Sequence, residues 1–307
     1  MKQINQHIYG NFKKVTLLCL FFIYVNAFGQ QSDTGIAKDS KPTLISRQFS
    51  FTEGPAVDRK GNIFFTDQPN NKIWEYDING KLSVFLDTAG RSNGMYFDSK
   101  GNLITCADEK NQLWSINSHG QVTILLKDYK GHQFNGPNDV WVDAKDGIYF
   151  TDPYFQRDYW QRKCPDPAIK GEKLYYLAQG KKEPVIVDED LKKPNGIVGT
   201  RDGYLFLSDM GPGKIFRYTI SKDGTLKDRQ VFADDLADGL TLDDKRNLYL
   251  AGKGVTVYNS GGKKIKHFDI PSAWTANLCF GGPNRDILFI TASESIYIVH
   301  MNVKGIQ

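Results

Sequence analysis

The chain has 307 residues, 40% of them hydrophobic, 24% charged and 13% aromatic, with a formal net charge of +4. That balance belongs to a globular protein able to bury a large core in one domain or two, and it excludes a disordered or fibrous chain. The charge is too small for an obvious polyanion binder, a mean hydropathy of −0.44 excludes a multi-span membrane protein, and four Cys are too few for a disulfide scaffold of this length.

In chain order, residues 1–29 read as a secretory leader. Lys2, Lys13 and Lys14 precede an apolar run from Val15 to Val25, no acid occurs in the segment, and Ala27 and Gly29 stand at signal-peptidase spacing. The run is well short of the roughly 20 residues that a spanning helix needs. The protein is therefore expected to be exported, periplasmic in a Gram-negative bacterium and otherwise secreted, with no stable membrane insertion. Losing the three Lys would take the net charge from +4 to +1 and leave Cys106, Cys164 and Cys279. Cys106 and Cys279 lie in apolar strand-like runs and are expected to be buried, inert thiols. The polar residues 30–42 read as a short flexible lead-in, and 43–307 as one domain.

That domain repeats. EGPAVDRKGNIFFTD begins at Glu53, NGMYFDSKGNLITCAD at Asn93 and NDVWVDAKDGIYFTD at Asn138. NGIVGTRDGYLFLSD follows at Asn195, DGLTLDDKRNLYLAG at Asp238 and NLCFGGPNRDILFITA at Asn277. After the copies come further hairpin-like pairs, such as KIWEYDINGKLSVFLD from Lys72, whose Asn-Gly, His-Gly and Asp-Gly turns suit a positive φ. Four strands per unit of about 40–45 residues is the pattern of a β-propeller blade, so the chain is expected to be all-β, a six-bladed β-propeller. The last copy lacks a strand after Ile298, and Thr43–Phe49 is a spare one, so the N-terminal strand is expected to complete the sixth blade and close the ring.

The six opening residues, Glu53, Asn93, Asn138, Asn195, Asp238 and Asn277, are all Glu, Asn or Asp. In a propeller the first strand of each blade lines the central channel, so the register converges six oxygen-bearing side chains on one axis. Such oxygens are hard ligands for Ca²⁺, Mg²⁺ or Mn²⁺, and Glu53 and Asp238 would balance a divalent charge. No paired His or Cys spacing supports a soft zinc site.

At these residues the sequence resembles the gluconolactonase branch of the SMP-30/gluconolactonase/luciferin-regenerating-enzyme-like family over essentially all of residues 50–300. EGP at Glu53, NGPND around Asn138, FTDPYF ending at Phe155, PNGI at Asn195, ADGL at Asp238 and NLCFGGP from Asn277 carry the likeness. The resemblance implies a propeller with one divalent metal in the channel, Ca²⁺ foremost, with Mg²⁺, Mn²⁺ or Zn²⁺ as alternatives. It implies that Glu53, Asn195 and Asp238 hold the metal, with Asn138 as a further ligand or substrate contact and Asp238 as acid/base. One departure is Gly136, which stands where some sugar-lactone members carry Arg; His132 is the nearby basic residue.

The expected reaction is opening of a lactone ring, the metal polarising the carbonyl and Asp238 activating water, with Glu53 as the alternative base. Asn93, Asn138, Asn277, Tyr154 and His132 are the candidate substrate contacts. Residues 153–172, rich in Tyr, Trp and Arg, account for the longest gap between copies and read as a lid or a rim-packed loop. The expected partner is a small lactone or sugar-derived molecule, not nucleic acid, and the expected state a monomer or weak dimer. The competing reading is a non-catalytic propeller binding a sugar or protein through its channel, since fold alone does not decide function.

Overall fold

The computed structural model describes residues 35–38, 41–159 and 166–307. The proposed leader at 1–29 and Cys164 lie outside the described residues. Within 30–42, residues 35–38 are not a loose lead-in: Ile36 and Ala37 are buried, Ala37 bridges Met301, and Lys38 N donates to His300 O at 2.9 Å.

Six sheets of four antiparallel strands form the blades of a propeller. Their first strands are Thr52–Val57, Ser92–Phe97, Val140–Val142, Pro194–Gly199, Leu240–Leu242 and Asn277–Gly281, and they pack side by side around the channel. The only helical element among the described residues is one 3₁₀ turn at Asp108–Lys110, and none of their helices is long and apolar enough to cross a membrane. The ring closes as the spare strand required. Thr43–Ser46 pairs antiparallel with Ser295–His300, so the sixth blade takes its outer strand from the N-terminal side and has no open edge on that seam.

Blades cohere through apolar layers between neighbouring sheets. At the closing seam Phe49, Phe65, Cys279, Phe289 and Ile298 form one cluster, with Phe49 edge-on to Phe65 at 5.1 Å between ring centres. Each such fully buried ring contributes about 2–3 kcal/mol relative to exposure. Cys106 and Cys279 are free thiols in these layers, and burial pushes both upward in pKa, which keeps them protonated and unreactive.

The turn after each first strand explains the repeat's fifth-position Asp. Asp58 Oδ1 accepts backbone N–H bonds from Lys60, Gly61 and Asn62 at 2.8–2.9 Å. Asp98, Asp143 and Asp243 do the same in their own copies. In the fourth copy Thr200 substitutes its hydroxyl, which takes the Tyr204 N–H at 2.9 Å. These carboxylates are consumed locally by their turns.

Candidate active site

The six register residues arrive together. Glu53, Asn93, Asn138, Asn195, Asp238 and Asn277 are each no more than 7% exposed. Four of them are followed by glycine, and the backbone shows why. A Cβ at Gly54, Gly94, Gly196 or Gly239 would overlap the neighbouring blade, at Asn93, Asp139, Asp238 and Asn277 respectively. Without side chains there, inner strands can bond blade to blade: Gly94 N to Asn138 O at 2.7 Å, Gly196 N to Asp238 O at 2.8 Å, Gly239 N to Ala276 O at 2.9 Å. The channel is thus narrowed at this level by the backbone itself.

Asp139 fills the slot that those glycines leave open. Its carboxylate accepts from its neighbour Val140 N at 2.9 Å and from Ile197 N of the fourth blade at 3.2 Å, and it is hydrogen-bonded by the Asn277 side chain of the sixth blade. A group held by the third, fourth and sixth blades lies close to the channel axis. Burial pushes its pKa up to about 7, against the opposing pull of those hydrogen bonds.

Above this plug sit Glu53 and Asp238. Burial first, and each other's charge second, hold the Glu53 carboxyl well above the usual range. Burial likewise raises Asp238 to about 6, offset by hydrogen bonding from Trp274 and Asn195 and by the Arg157 guanidinium. Trp274 Nε1 donates to Asp238 Oδ2 at 2.6 Å. Asn93 Nδ2 is buried without a partner, a free donor beside the carboxylates' strands. Asn195 Nδ2 lies 3.1 Å from Met210 Sδ.

The loops that deliver these residues are fixed by a second set of acids. Asp152, from the FTD of the third copy, accepts from Gly136 N at 2.8 Å and Asn135 N at 3.0 Å, just ahead of Asn138. Asp209, from the LSD of the fourth, accepts from Lys193 N at 2.7 Å, two residues before Asn195. The insertion after the third copy reaches across as well: Tyr159 hydroxyl donates to Gln68 Oε1 of the first blade at 2.5 Å, and the Arg91 guanidinium lies 5.6 Å from the Tyr159 ring centre. Arg157, on the same segment, brings its charge to bear on both Glu53 and Asp238.

Not every candidate converges. His132 lies on an exposed turn with Nδ1 3.2 Å from Asp166 Oδ2, and none of the interactions found around the three central carboxylates involves it. Tyr154 is half-buried, its hydroxyl donating to Gln156 Oε1 at 3.0 Å and its carbonyl accepting from Lys193 Nζ at 2.7 Å. Asn277 is at the centre but committed to the plug, its Oδ1 accepting Leu278 N at 2.8 Å. Sequence reasoning missed Asp139 and Trp274 and undervalued Arg157. Asp139 did leave a signal, the one charged residue in a slot otherwise filled by Gly or Leu278; Trp274 precedes its copy and left none.

No group of three or more His, Cys, Asp or Glu able to cage a metal occurs among the described residues. A cation bound here would lean on the Asn195 and Asn138 amide oxygens as well as on Glu53 and Asp238. That set fits a hard divalent ion: all oxygen, with two buried carboxylates whose mutual repulsion a cation would relieve.

The family model described as SMP-30/Gluconolactonase/LRE-like region matches residues 51–294. The chain belongs to this family. Among its relatives, a gluconolactonase of Zymomonas mobilis is 23% identical over 92% of this chain and 87% of its own. A solved gluconolactonase structure from Xanthomonas campestris superposes with a TM-score of 0.79 at 26% identity, covering 87% of this chain and 91% of that one. A calcium-binding regucalcin from Agrobacterium tumefaciens shares the fold, with a TM-score of 0.69 at 18% identity over 88% of this chain and 95% of that one. The solved relatives therefore share the fold of this six-bladed ring.

Proposed function

We propose that this family member is a lactone hydrolase acting on a hydroxylated, gluconolactone-like ring, with Glu53, Asn195, Asp238 and Asn138 holding a divalent metal, Ca²⁺ foremost. The observation that carries the reading is the buried, mutually repelling pair of Glu53 and Asp238. A scaffold gains nothing from two buried carboxylates that repel one another, whereas a hydrolase needs one as a base near neutrality. The gluconolactonase relatives support the substrate class.

Asp238 takes the proton from water as its oxygen attacks the lactone carbonyl carbon, and returns it to the ring oxygen as the C–O bond breaks, giving the open hydroxy acid. Trp274 Nε1 fixes the carboxylate's orientation and favours its charged form. Asn93 Nδ2 is placed to donate to a substrate oxygen, since it has no partner in the protein. Asp139 holds the floor in place rather than reacting. A bound divalent ion would supply Lewis-acid polarisation of the carbonyl.

The test is a panel of sugar lactones assayed by acid release, with and without a chelator. Turnover that is lost on chelation and restored by Ca²⁺ is expected. Chelator-insensitive turnover would remove the metal from the reading, and metal binding without turnover on any lactone would favour the non-catalytic binding propeller.

A further inference from the structure

The start of the insertion after the third copy is tied at both ends. At one end Tyr154 O accepts from Lys193 Nζ at 2.7 Å. The same ammonium pairs with Glu172 Oε1 at 2.8 Å and lies 4.8 Å from the Phe155 ring centre. Lys193 stands directly before Pro194–Gly199, the inner strand of the fourth blade. At the other end the Tyr159 hydroxyl donates to Gln68 Oε1 of the first blade at 2.5 Å, and Gln68 Nε2 donates to Asp108 Oδ2 at 3.1 Å. In a ring of six, the first and fourth blades stand opposite one another. Residues 154–159 therefore run from one side of the channel to the other, at the end that carries Glu53 and Asp238. Arg157 is the cation in the middle of that span.

Arg157 is held there without an acid of its own. Its Cζ rests 4.8 Å from the Phe155 ring centre, and its guanidinium donates no hydrogen bond and forms no ion pair among the described residues. The cations beside it are paired, Arg91 with Glu109 at 3.2 Å and Lys193 with Glu172 at 2.8 Å. The positive field of Arg157 still acts on the Glu53 and Asp238 carboxyls and on the Tyr159 hydroxyl, against the burial that dominates all three. A guanidinium near enough to act on two carboxylates of different blades, yet bonded to neither, leaves a gap between itself and them. The Arg157 Nε is covered, so its two terminal nitrogens are the open edge. A divalent ion on Glu53 and Asp238 would balance their two charges and leave Arg157 as the unmatched cation over the site. The natural complement of that planar pair of donors is a carboxylate.

We propose that Arg157 determines the charge of the substrate: the preferred lactone carries a carboxylate of its own, as a monolactone of a sugar diacid does. That carboxylate accepts from the two Arg157 Nη groups while the lactone carbonyl faces Asp238. The inference rests on the hydrolase reading and leaves its reaction unchanged. Water adds to the carbonyl carbon, the ring C–O bond breaks, and the product is a dicarboxylate instead of a monocarboxylate. A neutral ring offers the guanidinium no anion and is the poorer substrate.

Two measurements on the full-length protein with Ca²⁺ test it. The first compares turnover of the five-membered lactones of glucaric and gluconic acid, which differ only in a terminal carboxylate against a hydroxymethyl group. The glucaric lactone should have a kcat/KM about tenfold higher, with the difference in KM. Arg157→Gln should erase that preference. Whatever the lost charge does to Asp238 is common to both lactones and cancels in the ratio, so a merely structural Arg157 would leave the ratio as it was. The second is titration calorimetry with the open acids, glucarate and gluconate. Glucarate should bind the wild type about tenfold more tightly, with Arg157→Lys keeping part of that gain through its charge and Arg157→Gln none. Equal affinity of the wild type for the two acids overturns the proposal even if Arg157→Gln fails to fold, and so does a preference that survives Arg157→Gln. Arg157-dependent glucarate binding without hydrolysis of either lactone would remove the hydrolase reading and keep the anion site. Turnover of both lactones with no preference for the acidic one would remove this proposal alone.

Discussion

The two ends of the channel are made from the same repeat and the same residue types, yet they differ in what their polar groups are free to do. At one end the acids of the turns, Asp58, Asp98, Asp143 and Asp243, each accept two or three backbone N–H bonds from the residues just after them. Their charge is spent on local geometry, and what faces the channel mouth is Lys and Arg. At the other end Glu53 and Asp238 have few donors, are fully buried, and are driven upward in pKa by burial. Whether an Asp here has its charge spent locally depends on whether its own turn can satisfy it, not on its place in the motif.

The sharpest way to break that contrast is to neutralise an unspent acid. Asp238→Asn keeps the shape and the Trp274 contact but cannot take a proton. Its kcat/KM on a gluconolactone should fall about 10³-fold, or about 4 kcal/mol, with the thermal midpoint held or raised. A variant with full activity and full metal affinity would mean that the base lies elsewhere, Glu53 being next.

The second effect is on stability and concerns the plug. The Asp139 folded-state pKa of about 7 lies above its ordinary value of 3.8. The unfolded chain therefore releases this proton at lower pH than the folded one. Stability from this group is greatest below about pH 4 and is lost as pH rises toward 7. In chelated protein, Asp139→Asn should remove a loss of about 3 kcal/mol across that window, measured as a flatter dependence of urea-unfolding free energy on pH. An unchanged slope would show that Asp139 is ionised and compensated throughout.

The smallest effect comes from a spent acid. Asp243→Ala strips the Lys245 and Asn247 N–H groups and the Tyr249 hydroxyl of their acceptor. It should cost about 2 kcal/mol of unfolding free energy and leave kcat/KM per folded molecule as it was. A selective loss of activity would erase the distinction between the two ends.

The ring and its closure were legible in the sequence because a blade is a local object. Period-2 apolar strands, Asn-Gly turns and the six-fold recurrence are written into contiguous residues, and the spare strand at Thr43 had only one place to go. The convergence of Glu53, Asn195 and Asp238 was legible for the same reason, since equivalent positions in equivalent blades must face one axis. Trp274 was not, because its contact with Asp238 joins the loop before one blade to the inner strand of another, and no spacing encodes it. Arg157 and Tyr159 were visible as unusual loop residues, but where a segment of that length would reach was open until Tyr159 was found on Gln68.

His132 lies apart from the central carboxylates for a related reason. Its nearness in sequence to Asn138 suggested a place at the centre, but the turn that pairs Tyr129 with His132 directs it to Asp166 at the surface. The sequence by itself determined the number of blades, the ring closure and which side of each inner strand carries oxygen, because hydrogen-bonded periodicity repeats within each unit. Only the tertiary structure decided which of those oxygens remain unsatisfied, that Asp139 crosses the channel as a plug, and that the far mouth is basic. Those properties depend on what the facing blades supply across the axis, and no single repeat contains that information.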